Sequence, residues 1–314
     1  MDTSMSLSFF TTTIMQKMQK QLGERFTVLS STVKKNNAVE LVGIVIREQG
    51  CNTSPTIYIN EFYEEYKNGI SIEAIIEKLQ DIFARNHLIK SVDLSGFTDY
   101  ELAKKHIAFK VINYEKNWEL LKEVPHKVIY NLAIVFYYTV TEMPFDGKAT
   151  ILIHRSHLEH WKITEEELYR NAMINTPVML PARVESIENV MMNLLESGMC
   201  KEQEAVLCHL EETAENNGKI PMYVLSNKKK LLGAACMFYP GVLKNFANKK
   251  QMNFYILPSS IHEVILLPET CISDKDYLLE MVTEINSTQV EETEVLADSV
   301  YFYNRTCDKM ERIC

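Results

Sequence analysis

Runs of β-forming residues in this chain come in pairs joined by short turns, and amphipathic helical patterns lie between the pairs. Phe26–Lys34 and Val39–Arg47 are separated only by Lys35-Asn36-Asn37-Ala38. Because asparagine tolerates a positive φ, this spacing predicts a β-hairpin. Hairpins with helices between them favour a mixed α+β fold over a doubly wound parallel sheet.

Helices are predicted from apolar periodicity and capping residues. Ser71 precedes a segment whose apolar residues repeat at helical spacing: Ile72, Ile75, Ile76, Leu79, Ile82 and Phe83. Thr164 and Glu167 form a Thr-x-x-Glu capping box for another helix, which we expect Pro177 to end after Asn175. Val128–Thr141 has the composition of one strand, paired with Ala149–Ile153 through a turn at Pro144–Gly147.

The predicted fold class is therefore α+β: a mixed, mainly antiparallel sheet of hairpins, interspersed helices and a helix-rich middle third. At roughly 100–200 residues per domain, 314 residues make one large domain or two ordinary ones. We expect an N-terminal α+β part at 1–142 and a C-terminal α+β part at 143–314. One continuous domain over 1–314 is the alternative.

The spacing of the glycines and the net charge argue against several kinds of binding site. No two of the ten glycines lie closer than Gly43 and Gly50, so neither G-x-G-x-x-G nor the P-loop pattern occurs. A net charge of −9 argues against general nucleic-acid binding, which needs clustered Lys and Arg. No cofactor is predicted.

The N-terminal residues and the cysteines indicate the compartment. The first residues carry no basic region ahead of an apolar run, and the longest apolar stretch, Val128–Val140, is too short for a membrane helix. The seven cysteines form no regular framework and no C-x-x-C. We expect a soluble, cytoplasmic protein with no membrane association; the sequence leaves its oligomeric state open.

A histidine cluster is the most suggestive local motif. His154, His157 and His160 accompany Glu159, and imidazole with carboxylate is a common ligand set for zinc or iron. On a helix, however, the three histidines would spread over about 120°. H-E-x-x-H is absent. The three histidines are candidate metal ligands and His157, Glu159 and His160 candidate catalytic residues, against the alternative of structural or surface histidines.

Three further pairings allow both a catalytic and a structural interpretation. Cys208 and His209 are adjacent, and neighbouring helical residues point about 100° apart, which favours packing over a dyad. Ser259, Ser260 and His262 lie between two apolar strands, but no acid partner is evident. Asp146 and Lys148 resemble part of a nuclease D-x-K signature, and a hairpin turn explains the same residues more simply.

Acidic residues are concentrated late in the chain. Glu269–Asp298 contains nine Asp or Glu and one Lys. A charged stretch is ordinarily a solvated surface, and its second interpretation is a binding face for a basic partner.

Several separated motifs occur in order: F-Y-E-E-Y-K-N-G from Phe62, I-x-x-H-x-x-x-L-x-x-W-x-I-T-E-E-E-L from Ile151, Y-V-L-S-N-K from Tyr223, G-A-A-C-M-F-Y-P from Gly233, and Y-I-L-P-S-S from Tyr255. Together they resemble an uncharacterised family of unknown function from gut Gram-positive bacteria and their mobile elements. The resemblance spans about residues 60–304. W-x-I-T-x-E-E-L and the later strand pair are also similar to the YtpQ-like family. Neither family implies catalytic residues.

The preferred interpretation is a non-enzymatic protein-binding or regulatory accessory module that contacts a protein partner through Glu269–Asp298. The alternative is an enzyme: a metal-assisted hydrolase at the histidine cluster, or a nuclease at Asp146 and Lys148.

Overall fold

The computed structural model describes residues 5–86, 93–140, 149–190, 192, 221–258, 260–271 and 275–313. These residues form two units, the first reaching Ser95 and the second beginning at Gly96. Both contain antiparallel sheets and helices, which confirms the α+β prediction. Among the residues described, no helix is both long and apolar enough to cross a membrane.

The first unit packs three helices against a three-stranded sheet. Its elements are α1 (Leu7–Leu22), β1 (Phe26–Lys34), β2 (Glu40–Glu48), β3 (Thr56–Tyr58), α2 (Asn60–Lys67) and α3 (Ile72–Asn86). The predicted β1–β2 hairpin is confirmed, with Asn37 at φ 60° in its turn. Helix α3 is confirmed too, and the Ser71 hydroxyl accepts a hydrogen bond from the Ala74 N–H. Apolar faces of α1 and α3 meet the sheet in one core.

The first sheet of the second unit is organised around one long strand. Its strands are β4 (Ile107–Asn113), β5 (His126–Ile129), β6 (Leu132–Val140) and β7 (Ala149–Leu152). Strand β4 pairs along one edge of β6, while β5 and β7 share the other edge. The prediction of one strand over 128–141 is wrong, because a tight turn at Tyr130 (φ 57°) divides it into β5 and β6.

Five helices accompany this sheet: α4 (Ser95–Thr98), α5 (Tyr100–Ala103), α6 (Trp118–Leu121), α7 (Arg155–Trp161) and α8 (Glu165–Met179). The Thr164 cap of α8 is confirmed, since its hydroxyl accepts from the Glu167 N–H at 3.2 Å. The expected end after Asn175 is wrong, because α8 continues through Pro177 to Met179. Thr176 anchors this last turn, accepting from the Phe109 N–H at 3.0 Å and donating to the Ala172 carbonyl at 2.6 Å.

The second sheet has six antiparallel strands in the order β13-β12-β10-β11-β9-β8. They are β8 (Ala182–Ser186), β9 (Tyr223–Asn227), β10 (Phe254–Leu257), β11 (Val264–Pro268), β12 (Tyr301–Asn304) and β13 (Lys309–Arg312). Helix α9 (Val242–Lys250) precedes β10, and helix α10 (Lys275–Thr288) follows β11. Leu278, Met281, Val282 and Ile285 of α10 pack on this sheet, so the opposite side of the helix faces solvent.

Candidate functional site

The histidine cluster forms the start of helix α7. His154 immediately precedes the helix, and Nδ1 of His157 accepts a hydrogen bond from the His154 backbone N–H at 3.0 Å. A Glu or Gln side chain commonly takes this position in a capping box. The His157 ring also packs edge-on against Phe97, with centroids 5.0 Å apart. His157 therefore has a structural role at the helix start.

Electrostatics around His157 favour its neutral form. Partial burial lowers the pKa of His157, and His154 and His160 nearby lower that pKa further. The structure brings the His154 and His157 rings together, with centroids 5.7 Å apart, while Glu159 and His160 are exposed. Within the described part of the chain, no three His, Cys, Asp or Glu side chains are arranged to hold a metal ion. Metal binding here stays a hypothesis.

His262 is part of a second candidate constellation, and both of its ring nitrogens are engaged. Nδ1 accepts from the Leu232 N–H at 3.0 Å, so Nε2 carries the hydrogen and faces Glu294 Oε1 at 3.2 Å. Ser260 Oγ contacts the backbone instead, accepting from the His262 N–H at 3.0 Å. The imidazole therefore connects two loops in this structure and does not contact the serine hydroxyl.

Some candidate residues lie outside the described part of the chain. They are Asp146, Lys148, Cys208, His209 and Ser259. The turn predicted at Pro144–Gly147 also lies there, so both interpretations of Asp146 and Lys148 stay predictions.

The acidic region is an exposed helix side followed by an anchored loop. Its solvent-facing carboxylates, which we call the acid face, are Asp276, Glu280, Glu284, Glu291, Glu292 and Asp298. Glu269 and Glu294 of the same region are engaged with Asn253 and His262. On α10 the acidic positions repeat every four residues, which aligns Asp276, Glu280 and Glu284 on one side.

Buried asparagines hold the loop after α10 in place. Asn113 Nδ2 donates to the Leu296 carbonyl at 3.1 Å, and Asn131 Nδ2 donates to Ser299 Oγ at 3.1 Å. Asn131 Oδ1 accepts from the Tyr301 hydroxyl at 2.6 Å. Because buried amides with satisfied hydrogen bonds fix local geometry, these contacts give the acid face a defined shape.

A pocket of about 370 Å³ opens where α10 meets this loop, and we call it the α10 pocket. Val290 and Val295 form its apolar wall. Its polar lining consists of Lys116, Thr283, Asn286, Ser287, Glu292 and Asp298. The sequence indicated the acidic region but not this pocket, which depends on the path of the loop back over the helix.

Asn286 is a residue of the pocket wall that the sequence did not indicate. It is 5% exposed, and its Nδ2 donates to the Ala297 carbonyl at 3.1 Å and to Asp298 Oδ1 at 2.8 Å. Its Oδ1 is buried and accepts no hydrogen bond from any residue that the structure describes. An asparagine among the apolar residues of an amphipathic helix was the available signal.

Comparison with known proteins identifies one family. A model described as "Family of unknown function (DUF5688)" matches residues 7–305. No curated protein and no solved structure matches the chain. The resemblance to an uncharacterised family is therefore confirmed, and it begins well before residue 60. The association with gut bacteria and mobile elements and the YtpQ likeness stay predictions.

Proposed function

We propose that this chain, which belongs to the DUF5688 family of unknown function, is a binding module whose acid face takes up a basic segment of a partner protein. The observation that carries the proposal is the α10 pocket, where Glu292 and Asp298 of the acid face line a cavity of about 370 Å³. An acidic solvent-facing helix alone is common. A concave pocket on which several polar side chains converge is a feature of a binding site.

The anchored loop supports this function physically. A partner that binds a mobile loop must also order it, which costs about 0.5–1.5 kcal/mol for each immobilised side chain. Asn113 already holds the Leu296 carbonyl of the loop, and Asn131 holds the Ser299 hydroxyl, before any partner arrives. Binding a basic segment then requires mainly charge complementarity, which also accelerates association.

We also propose that the protein acts in the cytoplasm in a regulatory or accessory role. The described cysteines, Cys51, Cys236, Cys271 and Cys307, are all free thiols. Reduced cysteines are typical of the cytoplasm, which supports this location.

Binding of a basic peptide with mixed Lys and Arg tests the proposed function. We expect fluorescence anisotropy to show saturable binding that weakens as salt is raised from about 0.05 to 0.3 M, because exposed charges are screened. Glu280→Gln combined with Glu284→Gln should reduce the affinity. The matched control, Glu159→Gln with Glu166→Gln, removes two exposed charges from α7 and α8. Equal losses in both double variants, or no binding, would contradict the proposal.

Metal analysis separates this function from the enzymatic alternatives. A hydrolase at His154, His157 and His160 would require stoichiometric zinc or iron that is lost in His157→Ala. A nuclease would show Mg²⁺-dependent cleavage of DNA or RNA that is lost in Asp146→Ala. Either result would replace the binding proposal.

A further inference from the structure

The α10 pocket contains more hydrogen-bond acceptors than donors. Exchanging the amide oxygen and nitrogen of Asn286 cannot alter this balance, because Nδ2 already donates to two acceptors, the Ala297 carbonyl and Asp298 Oδ1. Its Oδ1 therefore needs a donor and finds none in the described part of the chain. This Oδ1 is itself buried, so the acceptors open to a ligand in the pocket are those of its exposed lining residues: the carboxylates of Glu292 and Asp298 and the hydroxyl oxygens of Thr283 and Ser287.

The hydroxyl groups of the pocket add to this imbalance. Thr283 Oγ1 donates to the Leu279 carbonyl at 2.9 Å, and Ser287 Oγ donates to the Glu284 carbonyl at 2.8 Å. Each hydroxyl has one hydrogen, so both oxygens offer only their lone pairs to a ligand. A ligand rich in donors fits this lining.

The electrostatic environment selects a cation. The pocket lies at the C-terminal turn of α10, where the helix dipole places partial negative charge, and the last turn of α10 contains no basic residue. The lining includes two carboxylates, Glu292 and Asp298, against one ammonium group, Lys116. Lys116 Nζ lies 3.8 Å from Asp298 Oδ2, which is a long ion pair with both side chains partly exposed.

The hydrogen bonds of Asp298 favour an ammonium over a guanidinium. Arginine binds best when both oxygens of one carboxylate accept its planar fork. At Asp298, Oδ1 is already occupied by Asn286 Nδ2 and Oδ2 faces Lys116. An ammonium group has three donors that rotate freely, and it can satisfy separate acceptors.

We propose that the α10 pocket binds a primary ammonium group, supplied by a lysine side chain of the basic segment; this inference rests on the proposed function. A free polyamine has the same chemistry. Lysine is the source favoured here because the acid face extends beyond the pocket along α10, as a surface for further basic residues would.

The test compares two variants that add the same charge one residue apart. Ser287 lines the pocket and Thr288 does not, and both are exposed residues in the last turn of α10. Ser287→Lys places an ammonium group in the pocket, while Thr288→Lys adds it only to the surrounding surface. Titration calorimetry of the full chain would use three probes: a lysine hexapeptide, an arginine hexapeptide and spermidine.

We expect the lysine hexapeptide to bind about tenfold more tightly than the arginine hexapeptide, as a few well-placed charge-assisted hydrogen bonds would provide. Ser287→Lys should weaken lysine-peptide binding by about tenfold or more, and Thr288→Lys by less than about threefold, because a surface charge is screened. Circular dichroism would verify that both variants are folded.

The remaining outcomes separate the two proposals. Equal binding of both peptides, with equal losses in the two variants, would overturn the pocket inference and leave the acid-face function standing. If spermidine binds, only Ser287→Lys removes that binding, and neither peptide binds, then the pocket is an ammonium site but the protein partner is rejected. No binding of any probe would overturn both.

Discussion

His157 shows how one side chain can connect local structure to pH. Its Nδ1 accepts the His154 N–H at the start of α7, and its ring packs between Phe97 and Trp161. Protonation of Nδ1 would remove the acceptor and place a charge in a partly apolar site. The lowered pKa of His157 is consistent with both effects, since burial and the neighbouring histidines disfavour the cation.

We expect the pKa of His157 to make stability depend on pH. In the unfolded chain His157 returns to its ordinary pKa of 6.5, so that state binds the proton more tightly. The contribution of neutral His157 is complete above pH 6.5 and is lost as the pH falls below it. Urea unfolding at a series of pH values should therefore show a free energy of unfolding that declines below pH 6.5. The decline should be smaller in His157→Gln, because glutamine keeps a hydrogen-bond acceptor at this position.

His160→Gln is the matched control because His160 is exposed on the same helix. The His160→Gln variant should retain most of the decline in the free energy of unfolding at low pH. An unchanged pH dependence in His157→Gln would contradict the assignment to His157.

At the scale of elements, Gly233 is the most closely packed of the glycines that the structure describes. Gly233 begins a 3₁₀ helix, Gly233–Phe238, that packs beside β9. A Cβ at this position would lie 2.2 Å from Ser226 Oγ, 2.5 Å from the His262 carbonyl oxygen and 2.7 Å from the Asn227 nitrogen. Two of these atoms belong to the backbone and cannot move independently.

Gly233→Ala should therefore destabilise the second unit by about 3 kcal/mol or more, because backbone atoms must shift to admit the methyl group. Gly241→Ala is a useful comparison. Gly241 has φ 75° and no heavy atom nearer than 3.6 Å to a built Cβ, so the strain of a left-handed residue alone applies, about 1 kcal/mol. Chemical denaturation measures both values, and a smaller loss for Gly233→Ala than for Gly241→Ala would contradict the steric explanation.

Local signals predicted elements well where a residue acts on its own neighbours. Ser71 and Thr164 cap α3 and α8 as expected, because a capping hydroxyl bonds within its own turn. The turn at Tyr130 was missed because aromatic and β-branched residues continue on both sides of it. Asn286 was missed as a site residue because its partners, Ala297 and Asp298, are brought to it by a loop whose path depends on distant asparagines.

For the whole molecule, the division predicted at 142/143 falls between two paired strands of the second unit. Strands β6 and β7 form a ladder from Tyr137↔Leu152 to Val140↔Ala149. Further contacts of the second unit join the same two parts of the sequence, including Thr176 on β4 and Ser299 on Asn131. The predicted boundary stays a prediction.

Cleavage at this position tests the boundary. With a protease site inserted between residues 142 and 143, we expect the two cut pieces to elute together in size-exclusion chromatography, because the β6–β7 ladder and the buried asparagine contacts remain. Intact protein carrying the insertion provides the reference elution volume. Separation of the pieces without denaturant would support two independent parts.

The strand order of the second sheet also has a consequence during synthesis. Helices and strands of the first unit are close in sequence, so this unit can fold while the ribosome is still translating the rest. Strand β10 of the second unit lacks its neighbour β12 until residues 301–304 have been made. At about 5–20 residues per second, those residues follow the end of β10 at residue 257 by roughly 2–9 s. During that interval β10 has an open edge, and a nascent chain in this state is a natural client for chaperones.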